Sequence, residues 1–359
     1  MRLVSYSRQS DKTSSVLDTY ANAMISANDD LRMAWVEPDG SLVDALKAYQ
    51  WDCQKRGTGE AGEWLGRLQR LEVLVQDWRS KDRFQILSEL RQDWLDAIAS
   101  GDEMAQSCRV ASHSSNLGLP FSPSSFRDFY AFEQHVKTAR ARRGLDMVPE
   151  WYEFPVFYFS NPRSFRGPGA PVYAPAGSTE LDFELEVACV IGHPGESISV
   201  KAANQYIAGL VLLNDWSARD LQRAEMKVGL GPAKGKDFAT SFGPYFVTLD
   251  ELQDVASESA KGVRYDLQLE AAVNNRTISK GNLKDLHYTF EEMIERASRD
   301  VLLMPGEVLG SGTVGTGCIL ELGTEVQSWL VPGDTVRLEA GPLGVLETRV
   351  APARDAYQG

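Results

Sequence analysis

Apolar and polar positions follow two different rhythms along this chain. Near the start, residues 1 to about 50 read as short strands and turns. Within them Arg32 to Asp44 is patterned as strand, Pro-Asp-Gly turn, strand. From about 61 to 99 the period lengthens. Leu87, Leu90, Trp94 and Ile98 recur at three- and four-residue steps and make one apolar stripe, with Ser80-Lys81-Asp82 separating two helices. Ser112 to Ser125 is rich in Ser, Pro and Gly and reads as a linker. Beyond it, Phe126 to Arg142 predicts a helix capped by Ser124 or Ser125, with Asp128 in its first turn. From 151 onward short β-type runs dominate, divided by Gly and Pro turns. Val187–Ile191, Ile207–Leu213 and Thr335–Glu339 are strand candidates. Thr289 to Arg299 predicts a helix with Phe290, Met293, Ile294 and Ala297 on one face. The expected fold is α+β and β-rich. A smaller N-terminal α+β domain (1–115) precedes a mixed-sheet domain (116–359).

One apolar run carries an anomaly. Leu181-Asp-Phe-Glu-Leu-Glu-Val-Ala188 sets Glu184 and Glu186 two residues apart, which puts both carboxylates on one face of a strand. Like charges held that close, in a run that otherwise reads as buried, are costly unless a cation neutralises them. A hard divalent ion bound through oxygen does this economically, whereas a solvated edge strand would need none. Asp215, where the apolar run Ile207–Leu213 ends, is a further oxygen ligand or else a helix cap.

Composition narrows the function classes. With 43% hydrophobic and 24% charged residues the chain is ordinary for a folded protein, and a net charge of -13 argues against nucleic-acid and anionic-membrane partners. Apolar stretches are too short for membrane spans, and Met1-Arg-Leu-Val-Ser-Tyr lacks a signal-peptide core. Cys53, Cys108, Cys189 and Cys318 show no metal-type spacing, so free thiols and a cytoplasmic location are expected.

Several segments occur in a telling order: Phe183-Glu-Leu-Glu-Val-Ala188, Asn214-Asp-Trp-Ser-Ala-Arg-Asp220, Gly235-Lys-Asp-Phe238, Ser279-Lys-Gly-Asn282 and Gly310-Ser-Gly-Thr313. Together they closely resemble the fumarylacetoacetate hydrolase superfamily over about residues 125 to 350. The resemblance implies a β-rich roll or sandwich, a bound Mg²⁺ or Ca²⁺ (Mn²⁺ as a further option), a homodimer and a small acidic diketo- or oxo-acid substrate. It places Asp128, Glu184, Glu186 and Asp215 at metal-ligand positions. His135 falls on a catalytic position, paired with Glu321, and Lys236 on that of a charge-stabilising lysine. Tyr158, Arg219, Gln222 and Thr313 fall on substrate-contacting positions. Seven residues separate Asp128 from His135, two turns if both stand on one helix. Arg219 and Gln222, three apart, would share a side of the following helix. Met226 departs from the family's tyrosine-degrading members, which carry a Tyr there, and Gly144 stands where those members have a carboxylate-binding Arg.

The superfamily hosts several reactions. The expected one is hydrolysis of a C–C bond in a β-diketone acid, of acylpyruvate or fumarylacetoacetate type, with water activated by His135 and Glu321. Metal-dependent decarboxylation, isomerisation or hydration of a 2-oxo acid is the alternative, and a non-catalytic scaffold a lesser one.

Overall fold

The computed structural model describes residues 1–7, 31–80, 82–110 and 117–352. Lys81, the early part of the Ser112–Ser125 linker and the expected domain boundary at 115/116 lie outside those residues. The fold is α+β and sheet-rich. A twelve-stranded sheet dominates, and its central path begins with the N-terminal strands Arg109–Val110, Leu42–Asp44, Leu31–Val36 and Arg2–Ser7. Phe246–Val247 then joins them to Ile207–Asp215, Leu185–Ile191, Val308–Gly310, Phe126–Phe129 and Phe157–Ser160. The N-terminal strands therefore extend the same sheet that carries the acidic motifs. A second sheet of five strands includes Arg276–Asn282, Gln268–Val273, Thr335–Glu339 and Val345–Ala351.

The two central strands are buried on both faces, which is why they read as continuous apolar runs. Leu185, Val187, Cys189 and Ile191 point into the core shared with the five-stranded sheet, as do Leu210 and Leu212. Ala188, Val190, Val211 and Leu213 point the other way, against Leu87, Leu90 and Trp94 of the helix Arg83–Ala99. The apolar stripe read from sequence thus covers the back of the sheet. Arg83, buried at the start of that helix, donates to the Gly192 carbonyl at 2.8 Å and fastens the two layers.

Most expected elements form where the pattern put them. The helix Phe290–Ser298 begins with a full capping box between Thr289 and Glu292 and buries Phe290, Met293, Ile294 and Ala297. The segment 126–142 departs from expectation. Phe126–Phe129 is a strand, and the helix starts only at Glu133, running to Ala141 without a side-chain cap. Ser125 instead bonds Glu307 at 2.6 Å. Strands flank Phe126–Phe129 on both sides, parallel to Val308–Gly310 and antiparallel to Phe157–Ser160, and these ladders override the local helical pattern. Asp128 and His135 therefore stand on different elements, and two turns of one helix do not relate them.

Candidate active site

Strand alternation sets the direction of the acids. Glu186 shares the parity of Ala188 and Val190, Asp215 that of Val211 and Leu213, and Asp128 that of Phe126, so all three face the same side of the sheet. Glu184 lies one residue before the strand Leu185–Ile191 rather than within it. Carboxylate oxygens of Asp128, Glu184 and Asp215 lie within 4.8 Å of one another, all buried. Asp128 and Glu184, with Glu186, border a cavity of about 310 Å³. Every candidate site residue lines it except Asp215, which is bonded to the lining residues Tyr158 and Lys236, and Glu321, which lies 3.1 Å from the lining His135. Among the described residues no side chain before Asp128 contributes to the lining.

Lys236 supplies a positive charge to the same acids. Its Nζ lies 2.7 Å from Asp215 and also bonds Glu184. Tyr158, beside Asp128 in the ladder, donates its hydroxyl to Asp215. Arg219 opens the helix Arg219–Val228 and spreads its guanidinium over three partners: Nε to Asp182 at 2.8 Å, Nη2 to Glu184 at 2.8 Å and Nη1 to Gln222 at 3.0 Å. The family resemblance had placed this arginine at a substrate-contacting position, and it does line the cavity. The structure buries it and occupies it with protein carboxylates. Thr313 Oγ1 reaches Glu186 at 3.5 Å.

Burial divides the charges. It pushes the carboxyls of Asp128 and Glu186 well up, and neighbouring acids add to the effect, Asp215 on Asp128 and Asp128 on Glu186. Asp215 is raised by burial against the pull of Lys236. Glu184 behaves oppositely. Burial opposes its ionisation, but Lys236 and Arg219 together hold it below the usual carboxylate range. Lys236 is raised, since the charges of Asp215 and Glu184 outweigh its burial.

The fit to a cation rests on the atoms left over. Asp128 Oδ1, Glu186 Oε2 and Asp215 Oδ1 are buried with no hydrogen-bond partner. Such oxygens are expensive unless an ion takes them. A hard divalent cation suits the donor set.

Two glycines give the site its tightness. A Cβ on Gly310 would stand 2.3 Å from Asp128 Oδ1, so only glycine lets that carboxylate lie against the Val308–Gly310 strand. A Cβ on Gly235 would meet the Gln222 backbone nitrogen at 2.7 Å, so glycine lets the Lys236 loop rest on the helix below it.

On the other wall, His135 Nδ1 lies 3.1 Å from Glu321 Oε2, both side chains buried, within ion-pair reach but without an aligned hydrogen bond. Glu321 belongs to a four-residue helix, Ile319–Leu322. Cys318 Sγ sits 3.9 Å from Glu321, a proximity its sequence spacing did not announce, and all four cysteines are free and buried.

Sequence reasoning missed several neighbours. Tyr130 packs edge-on against the His135 ring, and burial pushes its phenol up to about 12. Phe157 and Leu320, also missed, give the cavity an apolar side together with Met226, which the sequence had singled out; Arg140 of the His135 helix and Arg143 just beyond it line it as well. Asp182, fully buried, was also missed. Its signal was present, because 182, 184 and 186 are three acids in alternate positions.

A sheet-built cavity that gathers buried acids, a lysine and an imidazole is the architecture of a small-molecule enzyme site. The family model for the fumarylacetoacetate (FAA) hydrolase C-terminal region matches residues 124–351. The chain belongs to this family. It is 32% identical over 250 residues to the fumarylacetoacetase of Arabidopsis thaliana, which covers 57% of this chain and 59% of that protein, less than two thirds of its length. Against the fumarylacetoacetase of Caenorhabditis elegans it is 29% identical over 350 residues, 82% and 81% of the two chains. A fumarylacetoacetate hydrolase from psychrophilic Exiguobacterium antarcticum shares the fold, with a TM-score of 0.64 at 20% identity over 99% of this chain and 100% of that one. A 5-carboxymethyl-2-hydroxymuconate delta-isomerase from Mycobacterium smegmatis is 27% identical with a TM-score of 0.51, covering 66% and 80%. Among the described residues no helix is long and apolar enough to cross a membrane.

Proposed function

We propose that the protein hydrolyses a C–C bond in a β-diketone acid, of acylpyruvate or fumarylacetoacetate type. The observation that carries this reading is the buried His135–Glu321 pair at 3.1 Å on the wall of the cavity that also holds the acids and Lys236. Asp128, Glu184, Glu186 and Asp215 would hold a divalent cation, Mg²⁺ or Ca²⁺. When bound, such an ion supplies Lewis-acid polarisation of a carbonyl and neutralises the acid cluster.

The chain's own groups do the rest. Glu321 orients the imidazole and stabilises its protonated form, so His135 takes a proton from water through Nε2. The resulting hydroxide attacks the acyl carbonyl carbon and forms a new C–O bond. The bond to the central carbon breaks, and its electron pair leaves with that carbon as an enolate. Lys236 and Gln222 hold the developing negative charge. Return of the proton from His135 to carbon yields the second product, so atoms and protons balance. Tyr158 and Thr313 shape the substrate face, Arg219 braces Glu184 and Gln222, and Met226, Phe157 and Leu320 would receive an apolar portion of the substrate.

His135→Ala tests the reading. Cleavage of an acylpyruvate, followed by loss of its enol absorbance, should fall to background while Mg²⁺ binding by calorimetry persists. Near wild-type cleavage by that variant would refute the pair's role. The 27% identity to the Mycobacterium smegmatis isomerase favours a second reading, isomerisation of a small 2-oxo acid. Product masses separate the two, since hydrolysis adds one water across two fragments.

A further inference from the structure

Two halves of the site lie on unrelated stretches of chain, and one side chain is bonded to both. Asp182 belongs to a two-residue strand, Leu181–Asp182, paired with Ser217–Ala218 directly before the Arg219 helix. Its carboxylate is fully buried and accepts four hydrogen bonds. Oδ1 takes the amides of Phe183 at 2.8 Å and Ile319 at 2.7 Å, and Oδ2 takes the Leu320 amide at 3.0 Å and Arg219 Nε at 2.8 Å. Ile319 and Leu320 are the first residues of the short helix that carries Glu321, and Cys318 before them provides no side-chain cap. Asp182 therefore holds that helix by its leading amides. Through Arg219 it also holds Glu184 and Gln222.

We propose that Asp182 is a positioning residue that sets the placement of the His135–Glu321 pair relative to the acid cluster, without touching substrate. The proposal rests on the hydrolytic reading of this site for its kinetic consequence, while its structural consequence is independent of that reading. Four donors converge on one carboxylate of four-acceptor capacity. A side chain with one acceptor oxygen cannot serve them all. Asp182→Asn keeps the size but turns an NH₂ toward two donors, so one pair, either the Phe183 and Ile319 amides or the Leu320 amide with Arg219, must lose its partner. Either orientation frees one of the two helix amides, so Glu321 shifts relative to the acid cluster. A displacement near one ångström between reacting groups lowers turnover by roughly 100-fold.

The test compares Asp182→Asn with wild type by acylpyruvate cleavage and by the imidazole signal of His135 in a ¹H–¹³C NMR spectrum at fixed pH. The chain has 4 histidines, so the signal is assignable from its loss in His135→Ala. The expected result is a kcat lower by roughly 100-fold, a KM changed by less than about threefold and a displaced His135 signal. Unchanged kcat per folded molecule with an unmoved signal would overturn the proposal, even if the melting temperature falls, because that is what a purely structural carboxylate would give. If Asp182→Asn does not fold, Asp182→Glu keeps the charge but displaces it by one methylene. It should show the same pairing of slower turnover and displaced signal, and wild-type values for both would overturn the proposal. If the wild-type protein cleaves no diketo acid, the hydrolytic reading fails on its own, and the His135 signal still decides whether Asp182 places the pair.

Discussion

Gly235→Ala isolates the cost of moving Lys236 without altering any charge. The added Cβ would stand 2.7 Å from the Gln222 nitrogen, 2.8 Å from its Cα and 2.9 Å from its Cβ. Ordinary contact begins near 3.4 Å, so the closest approach is about 0.7 Å too tight. Two of these atoms are backbone within the Arg219–Val228 helix, which cannot swing aside as a flexible side chain would. Gly235 is itself pinned, its N–H donating to Glu225 at 3.1 Å and its carbonyl accepting from Ala218 at 2.8 Å. The strain must spread into the Lys236 loop or the helix. Overpacking of this kind costs about 1–3 kcal/mol. In a chain this long that lowers the melting temperature by roughly 1–4 °C. Lys236 Nζ sits 2.7 Å from Asp215, so a shift of most of an ångström breaks that contact. Turnover should fall roughly 10- to 100-fold. Gly66→Ala is the control. Its added Cβ meets nothing within 4 Å inside the helix Gly62–Gln69, and it should be neutral or slightly stabilising. Scanning calorimetry and acylpyruvate kinetics on both variants decide the matter. Wild-type kcat and melting temperature for Gly235→Ala would show that the loop relaxes freely and would refute the close-approach reasoning.

Gly310→Ala, whose Cβ would meet Asp128 Oδ1 at 2.3 Å, should weaken Mg²⁺ binding measured by calorimetry at least tenfold, and unchanged affinity would remove Asp128 from the ligand set. EDTA should lower the wild-type melting temperature and excess Mg²⁺ restore it, because an ion bound only by the folded state at 100 times its Kd adds about 2.7 kcal/mol. Identical melting curves would argue against a cation in the acid cluster. Arg219→Met removes one buried charge and leaves Asp182 without a counter-charge and Glu184 with Lys236 alone, a loss of about 3–5 kcal/mol by urea denaturation. A loss under about 1 kcal/mol would contradict that pairing. Glu291 is raised above its ordinary 4.5 by burial, with one oxygen unpartnered. The folded state then binds this proton more tightly than the unfolded chain. Its contribution is therefore present at low pH and lost as pH rises from 4.5 through the raised value. Glu291→Gln should flatten the stability–pH curve across that window, and parallel curves would refute the assignment.

Much of the site was legible because its signals are local. Alternating acids in an apolar run mark Glu184 and Glu186, an acid closing a strand marks Asp215, and three-residue spacing joins Arg219 to Gln222. Helical stripes and the capping box at Thr289 likewise need only neighbours in sequence, since 3.6-residue and two-residue periods are properties of the backbone itself. The misreading of Phe126–Phe129 has the opposite origin. Its helix-like pattern is local, whereas its strand state is imposed by ladders to chain segments 308–310 and 157–160.

What the sequence determined by itself is the inventory: which residue types face which side of each element, and that several buried acids require a counter-charge. What only the tertiary structure decided is who meets whom. It set Glu321 on a short helix against His135, bonded Arg219 to Asp182 and Glu184, and gave Asp182 four donors from three separated segments. The physical reason is the range of the interactions. Periodicity is encoded in adjacent residues, but a buried charge is satisfied by whatever groups the packed sheets bring within about 3 Å, and those partners come from distant segments of the chain.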